Sequence, residues 1–334
     1  MKSIAKPYTV YKEKLESGEK ITLPPHAIKT EKHLTFSFDL DKIGDGKIVA
    51  GHGIEVSSGS WVEITATELK AYSYYSYTNP THRELLSVEH GLDIKDVFNL
   101  VIDVNPLNKM ATVIISTATG MVKQSFGGWD GCYGEIFATV DGLSARNCKF
   151  TWFSDGFTRK IWVLGDSYLG FGHSARWPYF LYRDGFNNNM LIGFPGMSAH
   201  EAIAEFEYIS KCGTPEYAVW CLGMNNTDLD GKVSEIYLKS TKRFLEICKE
   251  KGITPILSTI PLVVERENKY KNEWVRSQPY RYIDFARAVG ADKEAVWYPE
   301  MLSADNVHPA ERGAQALYMQ VLCDFPEIMQ RPNT

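Results

Sequence analysis

The spacing of apolar residues changes near residue 157, and no single packing scheme fits both sides of that change. Before it, apolar and polar residues alternate in short runs. Thr35-Phe36-Ser37-Phe38-Asp39-Leu40 is one, and Trp61-Val62-Glu63-Ile64-Thr65-Ala66-Thr67 is another. Stretches 98–104, 111–116, 134–140 and 148–154 continue the pattern. A period of two describes strands with one face buried. Gly, Asp and Asn punctuate the runs and no long helical period intervenes. The pattern therefore predicts an antiparallel β-sandwich or jelly roll. After the change, Lys160-Ile161-Trp162-Val163-Leu164 is nearly all apolar, and stretches 190–193, 217–222 and 254–259 repeat the theme. Strands covered on both faces read this way. Helical periods fall between them over 199–212 and 233–251, and again over 309–323. Strand and helix in alternation predict a doubly wound α/β domain. The expected division is a jelly-roll-like sandwich over 1–157 and an α/β domain over 158–334, with Ser154-Asp155-Gly156-Phe157 at the boundary. A chain of 334 residues has room for two such cores.

Charge and composition exclude several classes of partner. The net charge is −5, so a basic footprint for nucleic acid is missing. No run of 18 apolar residues occurs, which argues against a membrane-spanning helix. The first residues, MKSIAKPYTVYKEKLESGEK, lack the apolar centre of a secretory signal. By default they read as the start of a cytoplasmic chain, although one trimmed of its signal would read alike. None of the six cysteines forms a CxxC pair, so they read as buried reduced thiols. Cys132 and Cys148, both in the β-rich half, are the two that could pair. His26, His33, His52, His82 and His90 show neither HxH nor HExxH spacing, which speaks against a metal site. Asp41-Lys42-Ile43-Gly44-Asp45-Gly46 lacks the later Glu of a calcium loop and reads as a hairpin turn.

Open α/β sheets bind ligands at the carboxyl ends of their strands. That rule selects Gly165-Asp166-Ser167-Tyr168, Gly193-Phe194-Pro195-Gly196, Gly223-Met224-Asn225-Asn226 and, near the C-terminus, Asp305-Asn306-Val307-His308. Each segment suits one part of acyl transfer. A serine hydroxyl is a weak nucleophile until a positioned base takes its proton. His308 can be that base for Ser167. Asp305, three residues earlier, can fold back onto the near ring nitrogen and stabilise the imidazolium. Backbone N–H groups of Ser167 and Gly196, with the side-chain amide of Asn225, can serve a developing oxyanion. Gly193 suits a turn better than a donor role, and Asp166 suits local hydrogen bonding.

These blocks resemble the SGNH/GDSL hydrolases: GDS after a first strand, Gly after a second, G-x-N after a third, and D-x-x-H before the last helix. They stand in that family's order and span residues 161–323. The resemblance implies a flavodoxin-like α/β/α domain, ester hydrolysis and no cofactor. It places the nucleophile at Ser167, the Asp–His pair at Asp305 and His308, and the oxyanion donors at Ser167, Gly196 and Asn225. Two departures stand out. The first block reads Gly-Asp-Ser-Tyr, where Tyr168 is a packing change from Leu. The third carries Asn226 where the family usually has Asp.

Around the site, His173, Arg176 and Trp177 follow the nucleophile by one or two helical turns and are candidates to line its mouth. His200 reads as a helix-start residue. Tyr72, Tyr74, Tyr75 and Tyr77 cluster in the β-half, where they either pack at an edge or stack on sugars. That half loosely resembles laminin-G or concanavalin-like jelly rolls in strand number and spacing. The sequence thus points to a serine esterase acting on short-chain acyl esters, O-acetyl groups on carbohydrate above all. The alternatives are a lipase-like enzyme or general arylesterase, and a carbohydrate-binding protein with a decayed hydrolase. The expected partner is a small-molecule or glycan ester, with no nucleic acid and no membrane.

Overall fold

The computed structural model describes residues 5–26, 28–54, 58–74, 82–106, 108–129, 134–169 and 176–331. Tyr75, Tyr77, Cys132 and His173 lie outside the described residues. Contacts divide the chain between Phe157 and Thr158 into two compact units.

The first unit is all β. Its strands are β1 (Tyr8–Leu15), β2 (Lys20–His26), β3 (Lys32–Leu40), β4 (Lys47–Ile54), β5 (Ser58–Ile64) and β6 (Glu68–Tyr74). They continue with β7 (His82–Glu89), β8 (Asp96–Asn105), β9 (Met110–Thr117), β10 (Gly120–Gly127), β11 (Gly134–Asp141) and β12 (Ala145–Ser154). One six-stranded sheet runs β1-β12-β3-β8-β9-β10 and the other β2-β11-β4-β5-β6-β7. Every described pairing in both is antiparallel. Each sheet buries one face, as the period of two requires. On β3, Leu34, Phe36, Phe38 and Leu40 are buried, and on β11, Ile136, Ala138 and Val140 are. Phe36 and Phe150 stack at 4.3 Å within that core. Residues 41–46 need a correction. They are not a hairpin turn, because β3 and β4 belong to different sheets. Turn chemistry is the same for both uses: Gly44 supplies the left-handed step (φ 55°), and nothing local encodes which sheet the next strand joins.

The second unit contains β13 (Ile161–Gly165), α1 (Trp177–Arg183), β14 (Asn189–Ile192), α2 (Ala199–Ile209), β15 (Tyr217–Cys221) and α3 (Glu235–Lys251). Then come β16 (Thr254–Ser258), α4 (Lys269–Ser277), β17 (Tyr282–Ile283), α5 (Phe285–Ala288) and α6 (Glu311–Asp324). The sheet is parallel throughout, ordered β14-β13-β15-β16-β17. Both faces are covered, which explains the apolar strands. Ile161 and Val163 join a core with Trp177, Leu181, Leu317 and Val321. Trp162 points the other way, its ring 6.3 Å from Phe206 of α2, and Trp220 stacks on Phe244 of α3 at 4.7 Å. Counted along the chain the strand order is 2-1-3-4-5, so the connection reverses beside β13 and opens a crevice at its carboxyl end. Gly193 closes the end of β14 against that strand. An added Cβ there would lie 1.8 Å from the Gly165 carbonyl oxygen, at φ +156°.

Cys148, Cys212, Cys221 and Cys248 are buried free thiols. Cys323 departs from the expectation: it is free but exposed, because it sits on an outward position of α6.

Candidate active site

Ser167 opens a single turn of 3-10 helix, Ser167–Leu169, directly after β13. The turn is fastened by Asp166, whose Oδ1 accepts the Tyr168 N–H at 3.0 Å and whose carbonyl accepts the Leu169 N–H at 3.0 Å. His308 reaches the same point from the loop before α6, with Nε2 2.8 Å from Ser167 Oγ. Its Nδ1 lies 2.8 Å from Asp305 Oδ2.

The Asp305–His308 loop is shaped by its own side chains. Asp305 Oδ1 accepts from Val307 N and His308 N, each at 2.9 Å, and from Ser303 Oγ at 2.6 Å. Asn306 takes the left-handed conformation, φ 60°, which Asn tolerates better than most residues. Burial alone would raise the Asp305 carboxyl. The four donors facing it win, and hold it well below the usual carboxylate range. An ionised Asp305 only accepts, so His308 Nδ1 carries the hydrogen. Nε2 is then the acceptor for the Ser167 hydroxyl. Asp305 is not the cap of α6, whose N-cap is Ala310.

Asn225 ties three strand ends together. Its amide nitrogen donates to Met197 O at 3.0 Å, beside Gly196, and to Asp166 Oδ2 at 3.4 Å, beside Ser167. Gly196 is exposed and left-handed (φ +84°), with open space where a Cβ would be. Asn226 looks elsewhere. It is buried, and its Oδ1 accepts the Ala199 N–H at the first turn of α2. An Asp in its place would accept the same bond. Asp166 is wholly buried, which pushes its carboxyl up to about 6 against the pull of the Tyr168 N–H, His308 and Arg266.

Three residues that the sequence reading passed over support this arrangement. Arg266 donates from Nη1 to Asn225 Oδ1 at 2.7 Å and to Met224 O at 3.3 Å. It thereby sets which way the Asn225 amide faces. Lys271 and Asp228 form a fully buried pair at 2.8 Å, and Lys271 Nζ also bonds the carbonyl of Asn226. A lone Arg or Lys in a polar stretch carries no local signature, so these were out of reach. Tyr168 did have a signal, as a departure from the family block. It is more than a packing change: its buried hydroxyl donates to Val307 O at 2.6 Å and so links the serine turn to the histidine loop.

The candidates for the mouth fare differently. Arg176 is exposed just before α1. Trp177 is wholly buried, its ring 6.1 Å from Phe285, so it packs the core instead of lining a mouth. The burial follows from α1 laying its apolar side on the sheet. His200 is the second residue of α2, as read from the sequence.

No family model matches the sequence, and a search of curated proteins finds no match. The chain is similar in structure to a carbohydrate esterase family 3 protein from Talaromyces cellulolyticus, at 19% identity and TM-score 0.39, over 51% of this chain and 98% of that one. It is also similar to a GDSL-like lipase from Bacteroides thetaiotaomicron, at 12% identity and TM-score 0.40, over 50% and 87%. A psychrotrophic esterase from Pseudoalteromonas matches at 13% identity and TM-score 0.39, over 50% and 96%. Likenesses this low leave the reading of the site to its own geometry.

Proposed function

We propose that this chain is a serine esterase that removes short-chain acyl groups, O-acetyl above all, from a carbohydrate. The observation that carries the proposal is the continuous path Asp305 Oδ2–His308–Ser167 Oγ, with both contacts at 2.8 Å.

In this reading Ser167 Oγ attacks the acyl carbon while its proton passes to His308 Nε2. The negative charge moves to the former carbonyl oxygen, which takes hydrogen bonds from Ser167 N, Gly196 N and the Asn225 amide. Collapse breaks the bond to the alcohol oxygen, which leaves with the proton from His308. A water then repeats the sequence on the acyl-serine, losing its proton to His308, and the acid departs. Asp305 stays ionised throughout and stabilises the imidazolium. At rest both hydrogens of the Asn225 amide are donated, to Met197 O at 3.0 Å and to Asp166 Oδ2 at 3.4 Å, and the oxyanion takes over the longer of the two as it forms.

Ser167→Ala tests the proposal. With p-nitrophenyl acetate as substrate, kcat should fall by about 10⁴-fold or more, with the fold intact by circular dichroism. Turnover near the wild-type rate would refute it. The acetyl preference has its own test in a series of nitrophenyl esters. Activity should fall steeply from acetyl to octanoyl, and faster octanoyl turnover would shift the reading to a lipase.

A further inference from the structure

The outer face of the second β-sheet carries an aromatic slot built from residues of the β-unit alone. The residues come into line by register. Phe137 of β11 is opposite Gly51 of β4, Gly51 is opposite Trp61 of β5, and Trp61 is opposite Tyr72 of β6. In this row the central residue has no side chain, and β5 closes on it, since a Cβ on Gly51 would lie 2.6 Å from Trp61 Cα; Phe137 and Trp61 stand on the strands either side and line one cavity. Strands lie about 4.8 Å apart, which puts the backbones of β11 and β5 about 9–10 Å from each other. Stacking contacts of about 3.5–4 Å on either side leave room for one six-membered ring between the walls. A cavity of about 320 Å³ opens at this place, lined among others by Lys20, Val49, Gly53, Trp61, Tyr74 and Phe137. That is the small end of ligand-site volumes, which run from about 300 Å³ upward.

The Trp61 wall is braced. Tyr72 stacks on it at 5.4 Å and 24°, Tyr74 leans on it at 5.3 Å, and its indole N–H donates to Glu63 Oε1 at 3.2 Å. With Tyr72 on the β6 side, the opposite face of the indole turns toward the Gly51 gap. At the other wall, Lys20 Nζ sits 4.9 Å from the Phe137 ring centroid, bonds Glu135 at 3.0 Å and lines the same cavity.

We propose that this slot binds one pyranose unit of a glycan, its apolar C–H faces between Trp61 and Phe137 and its hydroxyls toward Lys20 and Thr139, which line the same cavity. A peptide strand is a poor fit, since β4 lies inside the sheet with ladder partners on both sides. A wholly apolar ligand would cover the Lys20 ammonium in the lining without a hydrogen bond in return. A sugar presents both characters on one ring. Only the choice of ligand rests on the carbohydrate part of the proposed function; none of the lining residues belongs to the unit that carries Ser167.

The test is binding by the full chain to cellohexaose, xylohexaose and mannohexaose, and to a printed array of plant and microbial glycans. Readouts are titration calorimetry and tryptophan fluorescence. At least one glycan should bind, and Trp61→Ala and Phe137→Ala should each weaken it about tenfold or more, while Trp61→Phe retains part of the affinity. Melting temperatures verify that the variants are folded. Ser167→Ala should bind like wild type, so a failed esterase reading and a failed slot are told apart. No glycan bound by the wild type, binding indifferent to Trp61→Ala and Phe137→Ala, or displacement by free indole with no competition from sugar would each overturn the proposal.

Discussion

The two units bury different things at comparable depth. The β-unit fills its interior with alternating apolar side chains such as Phe36, Phe98, Leu100 and Ile136, and buries Lys29, Lys32 and His52 at scattered places. The α/β unit has an equally apolar core, yet it gathers Asp166, Asn226, Asp228, Lys271 and Asn272 beneath one end of its sheet. Such groups are costly unless paired, and here each has a partner: Asp166 accepts from Tyr168 N, Asn226 from Ala199 N, Asn272 from Ile260 N, and Lys271 donates to Asp228. The difference teaches where positional accuracy is required. A sandwich needs its side chains on the correct face, whereas a nucleophile and its helpers need loops that cannot shift.

If that contrast is right, its strongest test is the buried pair. Lys271→Met leaves the buried Asp228 carboxyl without its cation, held only by the backbone N–H groups of Ser234 and position 271, and frees the Asn226 carbonyl. Urea unfolding of the α/β transition should show a loss of about 3–5 kcal/mol. A loss under about 1 kcal/mol would mean that the loops do not depend on this pair. Next in size is Asn225→Ala, which on the proposed mechanism removes one oxyanion donor. It should lower kcat by about 10²–10³-fold on p-nitrophenyl acetate while leaving the melting temperature close to wild type.

Asp166 gives a pH test of the same contrast. Its folded value, about 6, is above the unfolded carboxylate value, so its contribution is greatest below the unfolded value and is lost as pH rises through about 6. Asp166→Asn should remove this loss. Relative to wild type the variant should gain stability between pH 4 and pH 7, on the order of 2–3 kcal/mol in unfolding free energy. No change in relative stability over that range would contradict the assignment. The smallest effect is expected for Asn226→Asp. The new carboxylate accepts the same Ala199 N–H at a helix N-terminus, so kcat should stay within about threefold. Damage equal to that of Asn225→Ala would mean that Asn226, not Asn225, is the donor.

How much could be read from the sequence follows the same divide. The strands found from alternation, such as β3, β8 and β11, are flanked on both sides within their sheets. The four edge strands β1, β2, β7 and β10 are not among the alternating runs, and neither are the inner strands β4 and β6, whose core-facing Ala50, His52, Ala71 and Ser73 are small or polar. An edge strand buries less on its core face, so its pattern is weaker; β7 exposes most of its length and β10 mixes exposed with half-buried positions. In the α/β unit the continuous apolar runs marked β13 to β16, while the two-residue β17 was too short to show. Ser167, Asp305 and His308 were legible because each stands in a short block at a strand end or before a helix. Arg266 and Lys271 were not, since their partners lie about 40 residues away in sequence. Trp177 misled for the opposite reason: nearness to Ser167 in sequence says nothing about which side of α1 a ring takes.

The account's central claim is that Ser167 is activated by His308. The most direct measurement is labelling with diethyl p-nitrophenyl phosphate followed by peptide mass spectrometry. The account predicts one diethylphosphoryl group per chain, on the peptide containing Ser167, appearing in step with loss of esterase activity. It should be absent in Ser167→Ala and strongly slowed in His308→Ala. Complete inactivation with the label on another residue, or labelling of Ser167 at the same rate without His308, would contradict it.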